Sequence, residues 1–125
     1  MPTVLIVDDA LFMRKMIRRI LEHAQFEVVG EAYNGLEAVE MYEKFLPDVV
    51  TMDVTMPGMS GIEAVQAIVK KYADAKIVMV TAIGKPKLVV EAIESGAKDF
   101  ITKPFNPELM VEILKNVTDW DEMDE

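Results

Sequence analysis

The sequence predicts an α/β fold: a (βα)5 doubly wound, open, parallel five-stranded sheet with helices on both faces. Five short apolar runs alternate with five helix-like segments along 125 residues. The runs are rich in β-branched residues and nearly unbroken in apolar character, as strands covered on both faces are. The connections are short, and right-handed crossovers between parallel strands put helices on both sides of one sheet. A closed barrel of this kind needs about eight such units.

The strands are expected at Val4–Val7, Val28–Tyr33, Val49–Met52, Ile77–Val80 and Phe100–Ile101. Gly30 and Glu31 interrupt the second run, which suits an edge. The first helix follows Asp8-Asp9, with Met13, Ile17, Ile20, Leu21 and Ala24 at helical spacing. The second opens on Asn34 as cap, with Glu37 three residues on, and stops before Pro47. The third begins with the capping-box pattern of Ser60 and Glu63 and lines up Ile62, Val65, Ile68, Val69 and Tyr72. The fourth begins near Pro86 and ends at Gly96, a natural left-handed stop. The fifth has Asn106 as cap and Pro107 in its first turn, followed by Leu109, Met110, Ile113, Leu114 and Val117. Residues 1–117 form one domain, and residues 118–125 read as an acidic, solvated tail that contains Trp120.

The formal charge is −9, and five of the 22 acids lie in the last seven residues, leaving −4 on the body. That balance argues against nucleic-acid binding, which rests on basic surface. The local basic group Arg14, Lys15, Arg18 and Arg19 reads as a solvated helix face, and His23 as an exposed residue near a helix C-terminus. No apolar stretch approaches the ~20 residues of a membrane span. The start, MPTVLIVDDA, lacks a basic leader and reads as a strand rather than a signal peptide. Absence of cysteine removes disulfides and thiolate metal sites and fits a cytoplasmic protein.

Ligand crevices in such sheets lie at the carboxyl ends of the strands. Along that edge the first strand ends in Asp8 and Asp9, the third in Asp53 and the fourth in Thr81, while Lys103 follows the fifth. Taken singly, Asp9 is an N-cap candidate, Thr81 a strand-end residue and the run Thr102–Phe105 an ordinary turn. Their joint placement points to chemistry. Three neighbouring carboxylates repel, so a counter-charge is needed or one pKa must rise. A hard divalent cation with open positions for water, Mg²⁺, suits so few carboxylates. Thr81 can donate a hydrogen bond and Lys103 a positive charge to a phosphoryl group. Asp53, alone at its strand end, is the candidate nucleophile, because a carboxylate attacking phosphorus forms an acyl phosphate.

The stretches VLIVDDALFMRKMI, VVTMDVTMPGMSGIEAV, IVMVTAIG and GAKDFITKPF resemble the response-regulator receiver domain in order and spacing, from Thr3 to Val117. The resemblance implies a flavodoxin-like strand order of 2-1-3-4-5. It implies that Asp53 is the phosphoacceptor and that Asp8 and Asp9 bind Mg²⁺ together with Asp53 and the backbone carbonyl of Thr55. It further implies that Thr81 is the switch hydroxyl, Lys103 the phosphoryl-binding lysine and the Lys103–Pro104 bond cis. Phe100 falls on the aromatic switch position, keeping the ring of the family's common tyrosine without its hydroxyl. The resemblance also implies that Thr55 and Ile83 flank the path of attacking water.

The expected function is therefore that of a single-domain response regulator in a two-component system, most similar to chemotaxis regulators. A CheA-like histidine kinase supplies the phosphoryl group. Thr81 and Phe100 then repack the face made by the fourth helix, fifth strand and fifth helix, and a motor switch protein or motor adaptor reads it. A phosphatase is a further expected partner; nucleic acid and membrane are not, and the chain is expected to be monomeric. It is not expected to turn over a separate substrate. The alternatives are a phosphorelay intermediate, the receiver part of a transcriptional regulator, or an aspartyl-phosphate phosphatase. The phosphatase reading is weakened by Thr55, where haloacid-dehalogenase-like enzymes carry a second acid. A nucleotide- or flavin-binding module is disfavoured, because no glycine-rich phosphate loop follows any strand.

Overall fold

The computed structural model describes residues 1–82 and 85–120. Its strands are β1 (Thr3–Val7), β2 (Glu27–Ala32), β3 (Val49–Asp53), β4 (Ile77–Ala82) and β5 (Asp99–Lys103). They alternate with α1 (Leu11–His23), α2 (Gly35–Phe45), α3 (Gly61–Lys71), α4 (Pro86–Glu94) and α5 (Pro107–Thr118). All pairings are parallel, in the order β2-β1-β3-β4-β5. The reversal of winding next to β1 opens a crevice between the loops that follow β1 and β3.

Side chains alternating along the central strands sort into two cores. Leu5, Val7, Val50, Met52, Ile77 and Met79 face α2, α3 and α4, meeting Ala38, Tyr42, Val65, Ile68 and Ala92. Val4, Ile6, Val49 and Val78 face α1 and α5, meeting Ile17, Leu21, Met110 and Leu114. Fully burying each large aliphatic side chain contributes about 1.5–3 kcal/mol, so these two layers hold the sheet's loops in place.

The capping signals act as expected. Asn34 accepts the Glu37 N–H at 2.8 Å. Ser60 and Glu63 form the reciprocal capping box. Asn106 accepts from Glu108 and Leu109. Gly96, at φ +119°, ends α4, and a side chain there would crowd Val69. The first helix differs: its cap is Ala10, with no side-chain bond, and Asp8 rather than Asp9 accepts the Ala10 N–H at 2.9 Å.

Strands β4 and β5 are longer than the apolar runs suggested. They extend through Thr81–Ala82 and Thr102–Lys103, because the ladder continues after apolar character stops. β2 is an edge strand, with one extra residue at Val29 where Val4 pairs with Val28 and Leu5 with Gly30. The basic group on α1 is not a free solvated face: Arg14, Lys15 and Arg18 all bond to Glu31 of β2. His23 is exposed in the last turn of α1.

Helix α5 runs to Thr118, and Trp120 packs edge-on against Phe26, ring centroids 5.2 Å apart. Residues 121–125 of the acidic segment, and Ile83, lie outside the described residues.

Candidate functional site

Asp8, Asp53 and Thr81 stand at or just past the ends of the buried strands β1, β3 and β4, and Lys103 ends the edge strand β5. Asp8 follows β1 directly, and its N–H donates to the Ala32 carbonyl of β2 at 3.1 Å. Its two carboxylate oxygens are both engaged, Oδ1 by Ala10 N–H and Oδ2 by Lys103 Nζ at 3.1 Å. Asp53 is the last residue of β3, paired in register with Val80. Its Oδ1 accepts from Lys103 Nζ at 3.4 Å. One ammonium from the far edge of the sheet thus bridges two acids that lie 45 residues apart in sequence.

Asp8, Asp9 and Asp53 each offer a carboxylate oxygen, and these oxygens lie within 4.8 Å of one another. Asp8 and Asp53 are buried, whereas Asp9 is exposed and closes the group from the solvent side. The energetics fit a site short of positive charge. Burial, and then the charge of Asp8, push the Asp53 carboxyl from 3.8 up to about 6, against the pull of Lys103. Burial works against the Lys103 ammonium as well, but the charges of Asp53 and Asp8 outweigh it and raise its pKa. One lysine facing three carboxylates leaves net negative charge in a crevice lined by oxygen donors. Such a donor set fits a hard divalent cation with open positions for water, and it lacks the nitrogen and sulfur ligands that favour zinc.

The other candidates lie on the same rim or beyond it. Thr81 is buried near the end of β4, opposite Thr102 of β5. Thr55 is exposed, two residues past Asp53 in the connection to α3. The Lys103–Pro104 peptide is cis. Phe100 sits outside the acid cluster on β5, opposite Met79, with its side chain partly exposed.

Two contacts escaped the sequence reading. Gly61, the first residue of α3, lies flat against the backbone of Asp53 and Val54; a Cβ there would overlap the Asp53 carbonyl oxygen. Its N–H donates to the Val54 carbonyl at 2.8 Å. Arg14, read as part of a solvated face, donates from Nη1 to the Asp8 carbonyl oxygen at 2.7 Å. The first left no signal of its own, since a glycine that turns the chain reads the same as one that admits a second backbone. A charged residue within the apolar run of β2, Glu31, hinted at the second.

Known proteins resemble this chain in sequence and fold. The family model of the response regulator receiver domain matches residues 4–115. The chemotaxis protein CheY of Thermotoga maritima is 55% identical over 115 residues, covering 92% of this chain and 96% of that protein. A CheX–CheY–BeF3–Mg²⁺ complex from Borrelia burgdorferi superposes with TM-score 0.88 at 36% identity, covering 92% of this chain and 87% of that one. Vibrio cholerae CheY4 superposes with TM-score 0.87 at 37% identity, covering 94% of this chain and 98% of that one.

Proposed function

The chain belongs to the response-regulator receiver domain family, and on that premise we propose that it is a chemotaxis response regulator switched by phosphorylation of Asp53. The observation that carries the reading is the convergence of Asp8, Asp9 and Asp53 within 4.8 Å, with Lys103 bonded to two of them. The match to the Thermotoga chemotaxis protein spans 92% of this chain and 96% of that one, which supports the chemotaxis reading.

In this reading an Asp53 carboxylate oxygen attacks the phosphorus of a phosphohistidine on a CheA-like kinase. An O–P bond forms, the N–P bond breaks, and the imidazole nitrogen keeps the electron pair of that bond. Burial makes the Asp53 carboxylate poorly solvated, so attack sacrifices little hydration. Lys103 already touches Asp53 and would move its hydrogen bond to a phosphoryl oxygen. The Thr81 hydroxyl donates to another. Mg²⁺, held by Asp8, Asp9, Asp53 and the Thr55 backbone carbonyl, would offset charge on the phosphoryl oxygens when bound; the Borrelia relative was solved with Mg²⁺ and BeF3.

Filling the Thr81 hydroxyl's new bond frees space near β4 and β5, and the partly exposed Phe100 ring repacks into it. The face made by α4, β5 and α5 then changes for a motor switch protein or motor adaptor, with a phosphatase ending the signal. A coupling of this kind is typically worth about 1–3 kcal/mol. The protein works as a monomer in the cytoplasm and turns over no substrate other than its own phosphoryl group. Among the described residues no helix is long and apolar enough to cross a membrane.

The test is incubation of the wild-type chain and Asp53→Ala with a small phosphodonor and Mg²⁺, followed by intact-mass measurement. A phosphoryl adduct on the wild type that is absent from Asp53→Ala and abolished by EDTA supports the assignment. Equal labelling of the two proteins overturns it.

A further inference from the structure

A second set of contacts stands behind the acidic pair. Glu31 is mostly buried on the edge strand β2, and three cations from α1 converge on it. Arg14 Nε reaches Oε1 at 3.2 Å, while Lys15 Nζ at 3.0 Å and Arg18 Nε at 2.6 Å reach Oε2. Burial alone would raise the Glu31 pKa; Arg18 and Lys15 outweigh it and keep the carboxylate charged.

Arg14 has a second task. Besides its bond to Glu31, it donates from Nη1 to the carbonyl oxygen of Asp8 at 2.7 Å. That carbonyl belongs to the peptide joining Asp8 to Asp9. On the other side of Asp8, the N–H is bonded to Ala32, the residue after Glu31. The peptides before and after Asp8 are therefore both tied to the same short stretch of β2, one directly and one through Arg14. Among the described residues Asp9 has no such tie of its own: it is exposed, and Ala10 supplies the cap of α1. Its direction is set by the peptide that Arg14 holds.

We infer that Arg14, oriented by Glu31, is a positioning residue that fixes the Asp8–Asp9 peptide so that both carboxylates face Asp53. Only a planar guanidinium, with donors on different nitrogens, spans a carboxylate and a carbonyl in this way; a lysine ammonium is a single point. The inference rests on the reading that the acid trio holds a divalent cation.

Positioning and plain electrostatics predict opposite signs. Removing a cation beside an acidic cluster should tighten Mg²⁺ binding if charge alone matters. Releasing a positioning clamp should weaken it. The experiment titrates the wild-type chain, Arg14→Met, Arg14→Lys and Glu31→Gln with Mg²⁺ by calorimetry, and follows the Asp8, Asp9 and Asp53 amide resonances. Urea midpoints in EDTA control for general loss of structure.

The expected result is about tenfold weaker Mg²⁺ affinity in Arg14→Met, as loss of a supporting contact around a metal site typically gives. Arg14→Lys should fail to rescue it, and Glu31→Gln should weaken binding less, with Asp9 the most shifted amide. Unchanged or tighter binding in Arg14→Met overturns the inference. If Arg14→Met does not fold, unchanged affinity in Glu31→Gln overturns it. A wild-type chain that takes up no Mg²⁺ defeats the cation reading itself and this inference with it, whereas normal wild-type uptake with unaffected variants defeats this inference alone.

Discussion

Gly61 and Asp53 are in backbone-to-backbone contact: the first residue of α3 rests on the last residue of β3, with no room for a Cβ between them. A built Cβ also falls 2.9 Å from the Asp53 carbonyl carbon and 3.0 Å from Val54 Cα. These are main-chain atoms, which cannot swing aside as a flexible side chain can. The helix must back away or the strand end must tilt. Gly61→Ala should therefore destabilise the chain by about 3 kcal/mol, the upper range for overpacking a tight site. Urea denaturation checks the loss, and Mg²⁺ titration of the folded fraction should show weaker uptake, because Asp53 moves with its carbonyl.

Asp53 should make metal-free stability depend on pH in a defined direction. Its folded-state pKa is about 6 against an ordinary 3.8, so the folded chain holds that proton more tightly than the unfolded one. Stability then falls as pH rises from about 4 to about 6 and stays low above that, by about 3 kcal/mol in all. Asp53→Asn removes the titration but keeps the shape. In EDTA it should exceed the wild type by about 2 kcal/mol at neutral pH and match it near pH 4. Added Mg²⁺ should close the gap by stabilising the wild type alone. Urea midpoints across this pH range are the measurement.

Lys103 should hold the Asp53 carboxyl down. Its ammonium is the main favourable partner of a carboxylate otherwise pressed by burial and by Asp8. In Lys103→Met the Asp53 pKa should move further above about 6. NMR titration of the Asp53 carboxyl carbon in EDTA reads the change. A downward shift would contradict the contact.

Thr51 carries a cost with no visible return. Its Oγ1 is buried in the middle of β3 and has no hydrogen-bond partner among the described residues. A buried unpaired hydroxyl costs about 1–3 kcal/mol, and valine has nearly the same shape. Thr51→Val should raise the urea stability by about 1 kcal/mol and leave Mg²⁺ uptake unchanged. Residue 51 lies on the sheet face opposite Val50 and Met52, as Asp53 does.

Much of this was legible in the sequence. Apolar runs located every strand, and Asn34, Ser60 and Asn106 marked helix starts where their side chains do cap. Reading the strand ends as one edge grouped Asp8, Asp9, Asp53 and Lys103, since a parallel sheet aligns those ends. β4 and β5 extend past their apolar runs for a related reason: polar residues interrupt them near the end, Thr81 before Ala82 in β4 and Thr102 and Lys103 in β5, and an apolar run stops where a site begins. Long-range side-chain pairing was not legible. Arg14 and Glu31 are 17 residues apart and meet only through the register of β1 with β2, which the extra residue at Val29 shifts. The close approach at Gly61 was hidden because a glycine looks the same in a sequence whether it turns the chain or lets two backbones touch.

The edge-to-face contact of Trp120 with Phe26 has an optical consequence. This is the chain's sole indole. It lines a hollow with Met1, Pro2, Pro47 and Asp48, beside the starts of β1 and β3, at the pole away from the acids. A strand of five residues separates those poles, about 16 Å of β-structure. Native emission should therefore track unfolding faithfully and stay dark to events at Asp53. A fluorimeter would see this molecule melt and miss it signal.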